Sequence, residues 1–228
     1  CFIPPMLRLF FGKTIVPFLM LHSHSQVEFQ TIVKCYTDFN NAYGVQNFPP
    51  FKDYFDPGSF HQLRTNMLDT DGIVAKPRIM QYGSALTECL KPVADCIEDS
   101  TFEQAPLLAD STKEDGHRYN FDRLMTAYEC TEPGYSYQMR HFYCITHLKK
   151  DANQQAKLDK CDDDMDAATE NNRLDPQNCK AYQENTECYR QTYADYCESD
   201  EAGEFYCNAV AQEYLIWNPD CVFDCKKH

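Results

Sequence analysis

No Asn-X-Ser/Thr sequon occurs anywhere in the 228 residues, so N-glycosylation is excluded. Basic side chains are in the minority, with 21 Lys and Arg against 35 Asp and Glu and a net charge of -14. Phosphate backbones and anionic lipid surfaces bind through clustered Lys and Arg, so a nucleic-acid partner and a membrane-surface role are excluded as expectations. No apolar run approaches the roughly 20 residues that a membrane-spanning helix needs. The G-x-S-x-G frame of a nucleophile elbow is missing, since "YGSAL" around Ser84 does not supply it. Strand signals are scarce, and "VEFQTIVKCY" (27–36) reads equally as a strand or as a first helix. No repeat, low-complexity tract or linker divides the chain.

What the chain does hold is cysteine, 13 in all. The front end, "CFIPPMLRLFFGKTIVPFLMLHSHS", contains Met6, a short basic region (Arg8, Lys13) and the apolar stretch Thr14–Leu21. Ser23 and Ser25 supply small residues at signal-peptidase spacing, so residues 1–25 read as upstream sequence plus a secretory leader. The competing reading is a buried N-terminal helix or strand. Removing 1–25 takes Cys1 away and leaves twelve cysteines, an even number that could form six bridges, as a secreted disulfide framework should. The remaining 26–228 would carry a net charge of -16, because Arg8 and Lys13 leave with the leader. A chain of that length can bury a true core. The expectation is therefore one disulfide-bonded domain over 26–228, located outside the cell.

Within it, residues 26–83 hold only Cys35 and are rich in aromatics and proline, whereas 84–228 hold the other cysteines. An odd count on each side means that Cys35 reaches into the second segment or pairs with another molecule; the even total favours the first. That segment reads helical. Leu86, Cys89, Leu90, Val93 and Ile97 follow helical spacing, with Pro92 expected to kink or split the run. Phe121, Leu124, Met125 and Tyr128 mark another helix, stopped by "TEPG" (131–134). Residues 137–172 lack Gly and Pro, and the polar "KKDANQQAK" predicts a break. Asp175 and Pro176 are placed to start a helix carrying Tyr182, Thr186, Tyr189, Tyr193 and Tyr196 on one stripe. A last helix spans about Glu201–Trp217, ended by Asn218-Pro219. The fold class is mainly α: a disulfide-stapled helical bundle with an irregular aromatic and proline-rich N-terminal segment.

The bridging residues expected are Cys35, Cys89, Cys96, Cys130, Cys144, Cys161, Cys179, Cys188, Cys197, Cys207, Cys221 and Cys225. Cys179, Cys188 and Cys197 are nine residues apart. Nine helical steps turn half a revolution and climb roughly 13 Å, while a disulfide needs Cα atoms within about 7 Å. These three must therefore staple their helix to neighbours on both faces. Folding back about Leu174 sets Cys161 opposite Cys188. Cys89 and Cys96 would clamp a second element twice.

The cadence of "YGSALTECLKPVADC", "FDRLMTAYEC", "AKLDKC" and "NCKAYQENTECYRQTYADYC" resembles the secreted nematode-type cysteine-rich helical family known as domain of unknown function nineteen, over about residues 84–198. The resemblance implies a secreted, disulfide-bonded helical domain and carries no catalytic motif.

Chemistry is sparse. His141, Cys144 and His147 in "HFYCITH" could share a helix flank as a Cys–His nucleophile or metal site, but zinc needs a tighter ligand set, and Cys144 is expected in a disulfide. "DKCDDDMD" (159–166) offers Asp162, Asp164 and Asp166 at calcium-loop spacing; Ala167 and Arg173 stand where Gly and Glu are required, so the run reads as an acidic surface turn. No metal or cofactor is expected. "NFPPFKDYFDPGSF" (47–60) concentrates Phe48, Phe51, Tyr54, Phe55 and Phe60, which either cover the core or form an exposed partner patch. The sequence reads as a secreted, non-catalytic protein that binds an extracellular protein as a structural or effector/toxin-like component; the acidic charge reads first as solubility and is also compatible with a cationic partner. The alternative is an extracellular carrier of a small hydrophobic ligand. An enzyme ranks third and would need a reactive Cys144 beside a histidine.

Overall fold

A computed structural model describes residues 16–45, 53–102, 112–169, 172 and 175–226. Helices follow one another along the chain: α1 (Val16–Tyr43), α2 (Phe60–Asp71), α3 (Lys76–Leu90), the single turn α4 (Asp99–Phe102), α5 (Lys113–Glu129), α6 (Gly134–Leu148), α7 (Ala152–Thr169), α8 (Cys179–Cys197) and α9 (Asp200–Trp217). Among the described residues there is no strand, and the ambiguous 27–36 stretch lies within α1. The helix α1 begins inside the expected leader and runs unbroken past Ser25.

The local signals act as physical chemistry requires. Pro92 removes a backbone donor and clashes with the preceding turn; α3 accordingly stops at Leu90, and a 3-10 segment, Lys91–Cys96, replaces it. The polar break separates α6 from α7 at 149–151, where Asp151 Oδ1 accepts from the backbone N–H groups of Asn153 and Gln154. The Asp175 side chain accepts from Gln177 N and opens the 3-10 turn Pro176–Asn178 that leads into α8. At the start of α5, Thr112 and Asp115 exchange reciprocal side-chain-to-backbone hydrogen bonds, a capping box.

Two departures concern the N-terminal and acidic segments. The aromatic-rich region is largely helical, through α1, α2 and α3, because its rings recur at helical spacing and are buried along α1 (Tyr36, Phe39, Tyr43). The acidic run 159–166 lies inside α7 and is not a surface turn. It contains no Gly or Pro to break the helix, and Lys160 pairs with Asp164 one turn on.

The chain divides into two compact units whose boundaries cut across the compositional border at residue 83. The first takes residues up to Asn66 together with Tyr82–Asn120. Its core is aromatic: Tyr36 meets Phe102 and Tyr119 edge-on, Phe60 lies 5.0 Å from Phe39, and Phe102 stacks on Tyr119. A disulfide, Cys35–Cys89, joins α1 to α3 with Cα atoms 5.7 Å apart, so Cys35 does reach into the cysteine-rich segment.

The second unit takes Met67–Gln81 and Phe121–His228. Here α8 packs against α9, α7 and α6. Ile145, Leu148, Leu158, Tyr193, Phe205 and Tyr206 form one buried cluster; Met165, Tyr182, Tyr214 and Cys221 form another. Tyr193 stacks on Tyr206 at 3.4 Å and Tyr182 on Tyr214 at 4.4 Å. Where α8 and α9 approach, Gly203 leaves no room for a side chain: a Cβ there would stand 2.6 Å from the Arg190 carbonyl oxygen. The obstacle is backbone and cannot rotate away. Gly203→Ala should therefore lower the unfolding free energy by about 1–3 kcal/mol, measured by chemical denaturation; an unchanged midpoint would contradict this packing.

Candidate functional site

The cysteine framework of the second unit centres on α8. Cys197 bonds Cys144 on α6, Cys188 bonds Cys161 on α7, and Cys179 bonds Cys221 in the C-terminal tail. Cys207 on α9 bonds Cys225, so the tail is fixed twice. The three α8 cysteines do not pair with one another, and Cys161 does face Cys188. Cys96 is disulfide-bonded as well.

At the end of α5 the Cys130 Sγ lies half-buried, 3.6 Å from the Met80 carbonyl oxygen to which it donates.

The expected aromatic patch is mostly interior. Tyr54 and Phe60 are buried, Phe55 alone of the described three is exposed at 60%, and Phe48 and Phe51 lie outside the described residues. Phe60 sits in the core beneath Arg64, and Phe55 lies under Arg118. The nucleophile reading of Cys144 fails on its disulfide with Cys197. Among the described residues no group of three His, Cys, Asp or Glu is arranged to hold a metal ion, and no helix is long and apolar enough to cross a membrane.

A different constellation assembles where α8 turns into α9. His141 Nε2 lies 3.0 Å from Glu201 Oε2 and 3.1 Å from Ser199 Oγ. Arg140 donates from Nε and Nη2 to the two Glu201 oxygens at 2.8 and 2.9 Å. Serine, histidine and a carboxylate in mutual contact invite comparison with an acyl-transfer triad, but the geometry is wrong for one. A relay needs the acid on one ring nitrogen and the serine on the other; here both meet Nε2. A proton on Nε2 serves the carboxylate, and the nitrogen cannot then accept the serine proton. The group acts as a clamp from α6 onto the first turn of α9. Hydrogen bonds from His141 first, and then Arg140, hold the Glu201 carboxyl below the usual carboxylate range.

The same turn opens into a cleft of about 400 Å³ lined by Arg190, Gln191, Ala194, Asp195, Glu198, Ser199 and Asp200. Arg190 is the one cation among these lining residues, and Glu187 neutralises it through two hydrogen bonds of 2.6 Å. The cleft wall is thus net acidic. Glu198 occupies a left-handed conformation, with φ 50° and ψ 39°, which costs a residue with a Cβ about 1–2 kcal/mol and glycine almost nothing. Sequence reading missed this site because His141 and Glu201 are 60 residues apart; the one local signal was the acid-rich "CESDEAGE" (197–204).

No family model, curated protein or solved structure matches this chain.

A group whose carboxyl is easier to ionise folded than unfolded adds stability at neutral pH and loses it as pH falls through the lowered value. Glu201→Gln should therefore destabilise the protein near neutrality, and the difference from the native chain should shrink toward zero in acid. Thermal midpoints across pH check this; a difference that grows on acidification would contradict the clamp.

Proposed function

We propose that the protein works outside the cell as a non-catalytic binding protein whose partner is a cationic protein, in a structural or effector-like role. The export reading rests on the disulfide framework, since the cytosol keeps such thiols reduced, and on the leader-like residues 1–25. The resemblance of residues 84–198 to the secreted nematode-type cysteine-rich family fits the same reading.

One observation carries the binding reading: Glu198 holds a backbone conformation that glycine would take at little cost, and it lines an open, acid-walled cleft. Strain retained at such a position is a mark of function. Disulfides on both sides, Cys144–Cys197 and Cys207–Cys225, fix the helices that frame it. A pre-set site loses little entropy on binding. The carrier alternative is less well supported: a small apolar ligand calls for a largely apolar enclosure, and this cleft is open and charged.

The test separates stability from binding. Glu198→Gly should raise the unfolding free energy by about 1 kcal/mol while weakening the binding of oligolysine measured by calorimetry, and both proteins should bind less tightly as salt is raised. Oligolysine affinity that ignores both salt and Glu198→Gly would overturn the reading. Expression of the full chain in cultured animal cells should place oxidised protein in the medium.

A further inference from the structure

A second hollow lies along the same helix. Between α7 and α8 a groove of about 150 Å³ is lined by Cys161, Asp164, Met165, Ala168, Ala181, Glu184, Asn185 and Cys188. Its buried part is the Cys161–Cys188 bridge with Met165, and Ala168 and Ala181 stand toward its rim. Its mouth carries one carboxylate from each helix, Asp164 and Glu184. Asn185 is committed inward, with Nδ2 donating to the Cys161 carbonyl at 2.9 Å and Oδ1 accepting from Tyr214 OH at 2.6 Å. Among the described residues, Asp164 and Glu184 pair with Lys160 and Lys180 on their own helices, in exposed pairs. Such pairs contribute little and exchange readily.

An apolar floor with carboxylates at the mouth matches a side chain with a methylene stem and a cationic head. The groove and the α8–α9 cleft are also in register. Glu184, Cys188, Gln191 and Asp195 recur at steps of four, three and four residues, which keeps them on one face of α8, and Glu198 follows just past its end. Glu184 and Asp195 are separated by eleven residues of helix, or about 16 Å. An extended chain spans that distance in about five residues.

We propose that the groove and the cleft form one track along α8 for an extended basic segment of a partner protein, which presents two Lys or Arg side chains about five residues apart. This rests on the cationic-partner reading above and adds the site, the register and the chemistry of the occupant. The first cation enters the α7–α8 groove between Asp164 and Glu184. The second enters the cleft beside Asp195 and Glu198.

The probe is a fluorescent Arg-Gly-Ser-Gly-Ser-Arg peptide, with a citrulline version of the same peptide as the neutral control, followed by anisotropy on the intact protein. The arginine peptide should bind and the citrulline peptide should not. Asp164→Asn with Glu184→Gln should weaken binding at least about fivefold. Ala168→Leu, which fills the groove at an exposed position without changing charge, should weaken it comparably. Asp159→Asn with Asp163→Asn removes the same charge from the opposite flank of α7 and should cost less than about twofold. Circular dichroism checks that each variant is folded. Equal losses from the two charge-removing pairs, or no loss from Ala168→Leu, would overturn the track while leaving the cationic-partner reading in place. Equal binding of the arginine and citrulline peptides would overturn both.

Discussion

Three half-cystines at nine-residue intervals on one continuous helix cannot bond to one another, and the second unit is organised by that constraint. Each must find its partner on a different neighbour, so α8 becomes the post to which α6, α7 and the C-terminal tail are fastened. Cα separations of 5.3–6.0 Å across these three bridges sit within ordinary disulfide reach. The Cys161–Cys188 loop spans 27 residues and on chain-entropy grounds stabilises the fold by about 3–4 kcal/mol. The stacked pairs Tyr193–Tyr206 and Tyr182–Tyr214 then fill the space between α8 and α9, and Gly203 lets the two backbones meet.

The proposed binding face follows from the same post. The stripe of α8 from Glu184 to Asp195, with the Cys188 staple within it and Glu198 just past the helix end, borders both hollows. Their walls come from α7 at one end and from the first turn of α9 at the other. The Arg140–His141–Glu201 clamp holds that first turn in place, and the strained Glu198 turns the chain while keeping an acid on the cleft. The histidine offers a single nitrogen to both Glu201 and Ser199, and the cleft beside them is net acidic.

Much of the helical plan was legible because it is written in local chemistry. Pro92, Asp175 and the polar 149–157 run act through the backbone within a turn or two, and each ends or starts a helix where expected. The Cys161–Cys188 pairing was legible because only one hairpin separates them. Long-range facts were not. Nothing near Cys130 says that its Sγ meets the Met80 carbonyl. The rings of residues 53–60 read as core cover or as an exposed patch; Tyr54 and Phe60 complete an aromatic core contributed by α1, α4 and α5, while Phe55 is exposed. The clamp and cleft join residues from "RHFYC" and "CESDE", segments that only the tertiary fold brings together.

Disulfide mapping of the non-reduced, alkylated protein by mass spectrometry tests the organising role of α8 most directly. The account requires peptides linking Cys144 to Cys197, Cys161 to Cys188 and Cys179 to Cys221. A peptide linking Cys188 to Cys179 or to Cys197 would contradict it.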